Sequence, residues 1–348
     1  MSREWYEARV LAIGGAGFVG SNLTKKLLDA GAEEIVIVDN LLSSELENIP
    51  KNKKVSFLEG SITSNDILNK IDDNFDFIFH LATYHGNQSS IHNPLEDHEN
   101  NTLTTLKLCE KLQAFKKVKK VVYSSAGCTV AEKTYGVAHA TTEDAPISLY
   151  LDSPYQISKI IGEFYLNYYY KQYDLPVVKA RFQNVYGPGE ILGAGKWRGT
   201  PATVWRNVVP TFIYRAINQM PLLVENSGLA TRDFIYVDDI VRGLMLCATN
   251  GEPGEVYNLA SGTETSILEL SGLINEMTDN PTPIELGPKR KWDNSGKRFG
   301  SIEKSKKEIR FEALVSLPEG LKITTDWTYK HLSLIKNCIN KHANRMPQ

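Results

Sequence analysis

The chain has 348 residues, more than one compact domain usually holds, so one large or two interlocked domains are expected, with two preferred. Hydrophobic residues at 42% and charged residues at 23% exclude a disordered or fibrous class, and a net charge of −2 gives no general attraction for nucleic acid or an anionic membrane. Met1 to Glu7 lacks the apolar stretch of a signal peptide, and no later run approaches the ~20 apolar residues of a membrane span, which predicts a cytoplasmic protein.

Short apolar runs alternate with amphipathic stretches through the first half, the pattern of an α/β fold with a doubly wound parallel sheet. The expected strands are Arg9 to Ile13, Glu34 to Val38, Val55 to Leu58, Phe75 to His80, Val118 to Ser124 and Pro176 to Phe182. Helices are expected over Phe18 to Ala30, Leu95 to Phe115 and Ser153 to Tyr173, where apolar residues recur at three and four. Lys116, Lys117, Lys119 and Lys120 read as the solvated C-terminus of the second helix. After Arg181 the alternation gives way to a Gly- and Pro-rich segment from Gly187 to Pro201, and a smaller lobe follows. Phe234 to Val237 and Val256 to Leu259 read as strands around a helix from Asp238 to Thr249, so the chain is expected to return to the first domain. The predicted division is 1–181 with about 234–260 in one domain, and about 182–233 with 261–348 in a smaller α/β lobe. Cys109, Cys128, Cys247 and Cys338 are far apart and form no C-x-x-C pair, which fits free thiols and predicts no metal.

The first strand runs into Gly14-Gly15-Ala16-Gly17-Phe18-Val19-Gly20, where a helix begins. Strand, glycine turn and helix in that order form a dinucleotide-binding unit of the Rossmann type. Gly14 permits the tight turn, Gly17 lets the backbone approach a pyrophosphate, and Gly20 lets helix and sheet pack closely. Asp39 ends the second strand nineteen residues after Gly20, where its carboxylate can accept from ribose hydroxyls and would repel a 2′-phosphate. The predicted cofactor is therefore NAD.

Tyr155 and Lys159 lie four apart in a predicted helix and share a face, and no other of the 16 tyrosines stands in a Tyr-x-x-x-Lys. An ammonium beside a phenol favours the ionised form, which makes Tyr155 a usable base for a substrate hydroxyl.

With these residues in hand, the sequence resembles the extended short-chain dehydrogenase/reductase family, in its nucleotide-sugar epimerase and dehydratase branch, over nearly the whole chain. The resemblance rests on Gly14 to Gly20, His80-Leu81-Ala82, Asn101, Ser124-Ser125 and Tyr155 to Lys159. It extends to Arg181 with Asn184-Val185-Tyr186-Gly187-Pro188, and to Arg232-Asp233-Phe234-Ile235-Tyr236-Val237-Asp238-Asp239. It implies cofactor contacts from the glycine turn with Phe18 and Val19, from Asp39 and Asn40, and from Ser61 and Ile62, where family members often carry Gly-Asp in place of Gly60-Ser61. Further contacts would come from Leu81, Ala82, Asn101, Ser124, Tyr155 and Lys159. Asn184, Arg232 and Arg298 would meet a nucleoside diphosphate, and two guanidiniums suit that dianion.

The resemblance implies catalysis by Tyr155, Lys159 and Ser125, with a departure one position on. Many 4-epimerases hold a Ser or Thr where this chain has Ala126, 4,6-dehydratases hold Asp-Glu there, and sugar-nucleotide decarboxylases hold Glu. Epimerisation at C4 therefore outranks dehydration. Cys128 falls where GDP-mannose 3,5-epimerase and GDP-fucose synthase resemblances put a catalytic cysteine, which keeps C3 or C5 epimerisation as the alternative. Lys196 and Arg198, in Gly193 to Gly199, would hang over the sugar as proton donor or anchor. His85 and His92 lie near the nicotinamide end without an assigned role. A simple oxidoreductase and a non-catalytic NAD-sensing module are the remaining rivals. A homodimer through Leu95 to Phe115 and Ser153 to Tyr173 is expected from the family.

Overall fold

The computed structural model describes residues 3–84, 86–127, 136–191, 207–289 and 296–341. Seven strands form the main sheet: β1 (Arg9–Ile13), β2 (Glu34–Asp39), β3 (Val55–Glu59), β4 (Phe77–His80), β5 (Lys120–Ala126), β6 (Val177–Phe182) and β7 (Val256–Leu259). Their order is β3-β2-β1-β4-β5-β6-β7, and every neighbouring pair is parallel. The order reverses between β1 and β4, so a crevice opens above the carboxyl ends of those strands.

The longer helices are α1 (Phe18–Asp29), α2 (Thr104–Leu112), α3 (Pro154–Tyr173), α4 (Val208–Ile217), α5 (Val237–Asn250), α6 (Ile267–Met277), α7 (Glu303–Ile309), α8 (Leu317–Lys330) and α9 (Leu332–Lys341). Strand side chains alternate between faces, so Val10, Ala12, Ile35 and Ile37 pack with Leu23 and Leu27 of α1 and Ile240 and Leu244 of α5. Leu11, Ile13, Val36 and Val38 turn the other way, onto Leu108 and Leu112 of α2 and Leu166 and Tyr169 of α3. With both faces covered, β1, β2 and β4 carry near-continuous apolar runs, as a parallel sheet favours, and the polar residues Ser124, Ser125 and Arg181 fall toward the carboxyl ends of β5 and β6.

The first apolar core continues into the remaining elements through Phe212 and Ile213 of α4, Leu270 and Ile274 of α6, and Leu321 of α8. Short two-stranded pairs knit that region together. Asn184–Tyr186 runs parallel to Phe234–Tyr236, and Leu222–Glu225 parallel to Ile284–Gly287. Thr231–Arg232 is antiparallel to Thr265–Ser266, and Ala140–Thr141 parallel to Phe299–Gly300.

The first six strands lie within two residues of their expected positions, and β7 joins the main sheet beside β6. The helix expected over Leu95 to Phe115 is instead broken. A short helix at Pro94–Asp97 passes into a π-helical segment at His98–Leu103, and α2 then ends at Leu112. Side chains just after the segment compete with the regular ladder: the Thr104 and Thr105 hydroxyls, in the first turn of α2, donate to the Asn101 carbonyl at 3.1 and 2.7 Å. The lysine cluster therefore follows the helix rather than ending it. Lys116 and Lys117 donate their backbone N–H groups to the Asp73 carboxylate, Lys119 pairs with Asp76 at 2.9 Å, and Lys120 opens β5. Cys109, Cys247 and Cys338 are buried free thiols. Among the described residues, no helix is long and apolar enough to cross a membrane.

Candidate active site

A cavity of about 920 Å³ lies over the crevice, from the glycine turn after β1 to Arg298. At its first end, Gly14 has a φ of +81°, and a Cβ there would overlap the backbone of Ala82 after β4. A Cβ on Gly20 would overlap the Gly14 carbonyl and stand 2.7 Å from the Gly15 Cα, so glycine sets how closely α1 seats on the turn. Gly17 differs. Its φ of −69° suits any residue, and an added Cβ would meet only the Gly14 carbonyl oxygen, at 3.2 Å, with the cavity beyond. The start of α1 has no side-chain cap and no acidic residue in its first turn, which leaves its N–H groups suited to an anion. Phe18, Val19 and Gly20 line the cavity there.

Asp39 closes the wall of this end. Its carboxylate accepts from the Ala16 N–H at 3.0 Å and from the Leu41 N–H and Ser44 hydroxyl at 2.9 Å each. Burial pushes its pKa upward, against those hydrogen bonds. Asn40, Ser61, Ile62, Leu81 and Ala82 also line the cavity. The Ser61 hydroxyl accepts from the Thr63 N–H and the Thr63 hydroxyl, so part of its capacity is spent on its own turn. Asn101 is not on the wall. It is buried, accepts from the Thr83 hydroxyl and the Tyr84 N–H, and donates to the Tyr84 carbonyl and the Asp97 carboxylate, so its amide pins the segment after β4.

At the middle of the cavity α3 delivers Tyr155 and Lys159. Ser153 caps the helix by accepting the Gln156 N–H, and Pro154 fills its first turn. Lys159 is 2% exposed, and its Nζ donates to the Ser124 carbonyl at 2.9 Å and lies 5.7 Å from the centre of the Tyr155 ring. Burial pushes the Lys159 pKa down to about 8, while Asp97 and Glu163 pull the other way. His80, completely buried and near Lys159, is pushed down to about 3 and is neutral.

Both adjacent serine hydroxyls are turned into the protein. Ser124 Oγ donates to the His80 carbonyl at 3.2 Å, and Ser125 Oγ donates to Glu163 Oε1 at 2.5 Å. Glu163 is in turn held by Arg181 through two hydrogen bonds, of 2.9 and 2.8 Å, in a buried pair. Ala126 completes this stretch of the wall with a methyl group.

The far end is cationic. Arg232, Arg298, Arg215 and Lys289 all line it, together with Asn184. Asp233, 1% exposed, accepts from the N–H groups of Ser261, Gly262 and Gly300 and from the Ser261 hydroxyl, tying the Arg232 segment to the strand after Arg298. Arg215 and Lys289 were not legible as site residues, because no spacing relates them to Arg232. His92 is exposed on its short helix. Cys128, Lys196, Arg198 and His85 lie outside the described residues.

The sequence profile of the NAD dependent epimerase/dehydratase family matches residues 10–260. The chain belongs to that family. NAD is accordingly its cofactor, and the uncapped start of α1, the open space at Gly17 and the carboxylate at the end of β2 fit that group. Among solved structures, WbmF of Bordetella bronchiseptica, in complex with NAD+ and UDP, is 57% identical, with a TM-score of 0.89 over 99% of both chains. UDP-glucose 4-epimerase of Thermotoga maritima, with UDP-glucose, is 31% identical, with a TM-score of 0.83 over 93% of this chain and 99% of that one. UDP-glucose 4-epimerase of Mycolicibacterium smegmatis is 30% identical over 92% of this family member and 98% of its own length.

Proposed function

We propose that the protein epimerises a nucleotide-diphosphate sugar at C4 through a transient 4-keto sugar. The observation that carries this reading is the placement of Tyr155 and Lys159 on the wall of one cavity whose far end holds Arg215, Arg232, Lys289 and Arg298. The cationic end suits a diphosphate, and its likeness to the 4-epimerases of Thermotoga maritima and Mycolicibacterium smegmatis makes a uridine diphosphate sugar the substrate class to test first.

Tyr155 takes the proton of the sugar hydroxyl and later returns it. Lys159 favours the ionised phenol by its charge and is itself aimed by the Ser124 carbonyl. Glu163, anchored by Arg181, fixes Ser125 behind that pair. Gly14, Gly17 and Gly20 with Asp39 hold the dinucleotide, Asn40, Ser61, Ile62, Leu81, Ala82 and Ser124 flank it, and Asn184, Arg232 and Arg298 hold the diphosphate. Held by those residues, NAD would supply the hydride acceptor for C4 and the donor for its return, which inverts C4 if the ketosugar turns its other face to the nicotinamide in between.

A second reading, C3 or C5 epimerisation with Cys128 as acid/base, is favoured by Ala126, which puts a methyl where many 4-epimerases place a hydroxyl. The reading also includes a dinucleotide domain of 1–181 with 234–260 and a substrate lobe from the remainder. It further includes a homodimer, supported by exposed Leu95, Ile157, Phe164 and Tyr168 on the two helical stretches and read by sedimentation. Incubation with UDP-sugar epimer pairs, followed by NMR, tests the function. Approach to one equilibrium mixture from either side, without build-up of reduced-nicotinamide absorbance, is expected. Stoichiometric build-up would make the protein a simple oxidoreductase, and no conversion of any sugar nucleotide would refute the reading.

A further inference from the structure

Three hydroxyls on the middle stretch of the cavity wall are already committed. Thr83 donates to Asn101 Oδ1 at 2.9 Å, Ser124 to the His80 carbonyl and Ser125 to Glu163, while Ala126 offers a methyl. A hydroxyl has one hydrogen to give, so none of the three has another for a sugar oxygen. A polyhydroxylated ring needs donors from elsewhere on the wall, and the segment after β4 holds one.

Gly86, Asn87, Gln88 and Ser89 line the cavity together with Tyr155. Asn87 opens the short helix Asn87–His92, which buried Ser90 pins by donating its hydroxyl to the Asn87 carbonyl at 2.8 Å. The Asn87 side chain meets the start of α3, where Ser153 Oγ donates to Asn87 Oδ1 at 2.8 Å. The same Oγ caps α3 by accepting the Gln156 N–H. With a lone pair turned to the helix, Ser153 has its hydrogen for Asn87, so the amide presents its oxygen there and its Nδ2 the other way. Nδ2 keeps accessible surface and has no partner among the described residues. Gln88, next along, has no described partner to aim its amide.

Resting on the epimerase reading above, we propose that Asn87 Nδ2 donates a hydrogen bond to an oxygen-bearing substituent of the sugar at C2, C3 or C6, and so helps to select which sugar is turned over. An amide aimed in advance by Ser153 loses little freedom in making that bond. Through Ser153 the contact is joined to the helix that carries Tyr155, which keeps the sugar in register with its base. A donor placed for one substrate oxygen disfavours the analogue that lacks it, because the donor is then left unpaired.

The test is a cycle of enzyme and substrate changes. Native enzyme and Asn87→Leu are compared on the nucleotide sugar that the native enzyme turns over, and on three analogues that lack the substituent at C2, C3 or C6. Steady-state kcat/KM is read alongside NAD binding and urea unfolding. Loss of one neutral donor predicts a fall in kcat/KM of about three- to thirtyfold on the full sugar, with NAD affinity changed less than about threefold. On one analogue the fall should be less than about twofold, because the oxygen that Asn87 meets is missing there already. Damage to the α3 cap would instead lower all four substrates alike. Should the variant unfold early, the native enzyme gives the second reading: at least one analogue should be poorer than the full sugar by about the same three- to thirtyfold. Equal losses on every substrate, native-like kcat/KM in the folded variant, a fall in NAD affinity as large as the fall in kcat/KM, or a native enzyme indifferent to all three deletions overturns the proposal. A native enzyme inactive on every sugar nucleotide refutes the epimerase reading instead.

Discussion

Gly17→Ala separates the ligand role of the glycine turn from its structural role. The backbone at Gly17 is extended, and the added methyl would meet one protein atom, the Gly14 carbonyl oxygen at 3.2 Å, before entering the cavity. Its cost to folding should stay below about 1 kcal/mol, the scale of a changed N-cap residue. Gly20→Ala is the control. Its methyl would overlap the Gly14 carbonyl and stand 2.7 Å from the Gly15 Cα, so backbone has to move, at about 1–3 kcal/mol. If a pyrophosphate approaches over Gly17, the methyl there removes one or two hydrogen bonds to charged oxygens, each about 1.5–3 kcal/mol. That predicts NAD binding weakened by about 10- to 10⁴-fold, with the urea midpoint of the apoprotein nearly unchanged. Calorimetric titration and urea unfolding on the same samples read both. Native NAD affinity in Gly17→Ala, or a stability loss as large as that of Gly20→Ala, would refute the placement of the phosphates.

Asp39 should make the native protein bind NAD more tightly than NADP, and Asp39→Ala should narrow that preference in competitive titration; equal or tighter native NADP binding would contradict this. Tyr155→Phe should retain NAD yet lose turnover by about 10²- to 10⁴-fold, and near-normal turnover would move the base elsewhere. Arg181→Met leaves the buried Glu163 carboxylate without its bidentate partner, so urea unfolding should show a loss of about 3–5 kcal/mol. Adding Glu163→Gln should recover part of it, and a loss under about 1 kcal/mol in the single variant would show that the pair contributes little.

The parts of the site formed by neighbours in sequence were legible before the fold was known. Gly14 to Gly20 and Asp39 follow from strand, turn and helix in order, and Tyr155 and Lys159 from one helical turn. Of the parts formed by distant segments, Asn184, Arg232 and Arg298 were reached only through the family resemblance, and others were hidden. Asn101 carried a familiar position, but its amide serves Tyr84 and Asp97, because the π-helical segment turns it inward from the cavity wall. Periodicity reads the apolar positions of 95–115 and has no term for the threonine and asparagine side chains that break that helix. Arg215 and Lys289 reach the far end of the cavity from α4 and from the turn after Ile284–Gly287.

The most direct measurement of the central claim is turnover of the nucleotide sugar in heavy water, with the product analysed by mass spectrometry and proton NMR. In C4 epimerisation the hydrogen on C4 leaves as hydride and returns to the same carbon without becoming an exchangeable proton, so the product should carry no carbon-bound deuterium. Ionisation at C3 or C5 beside the ketone would exchange that hydrogen with solvent. Deuterium at the inverted carbon, joined to an inactive Cys128→Ala that still binds NAD, would contradict C4 epimerisation and assign the acid/base role to Cys128.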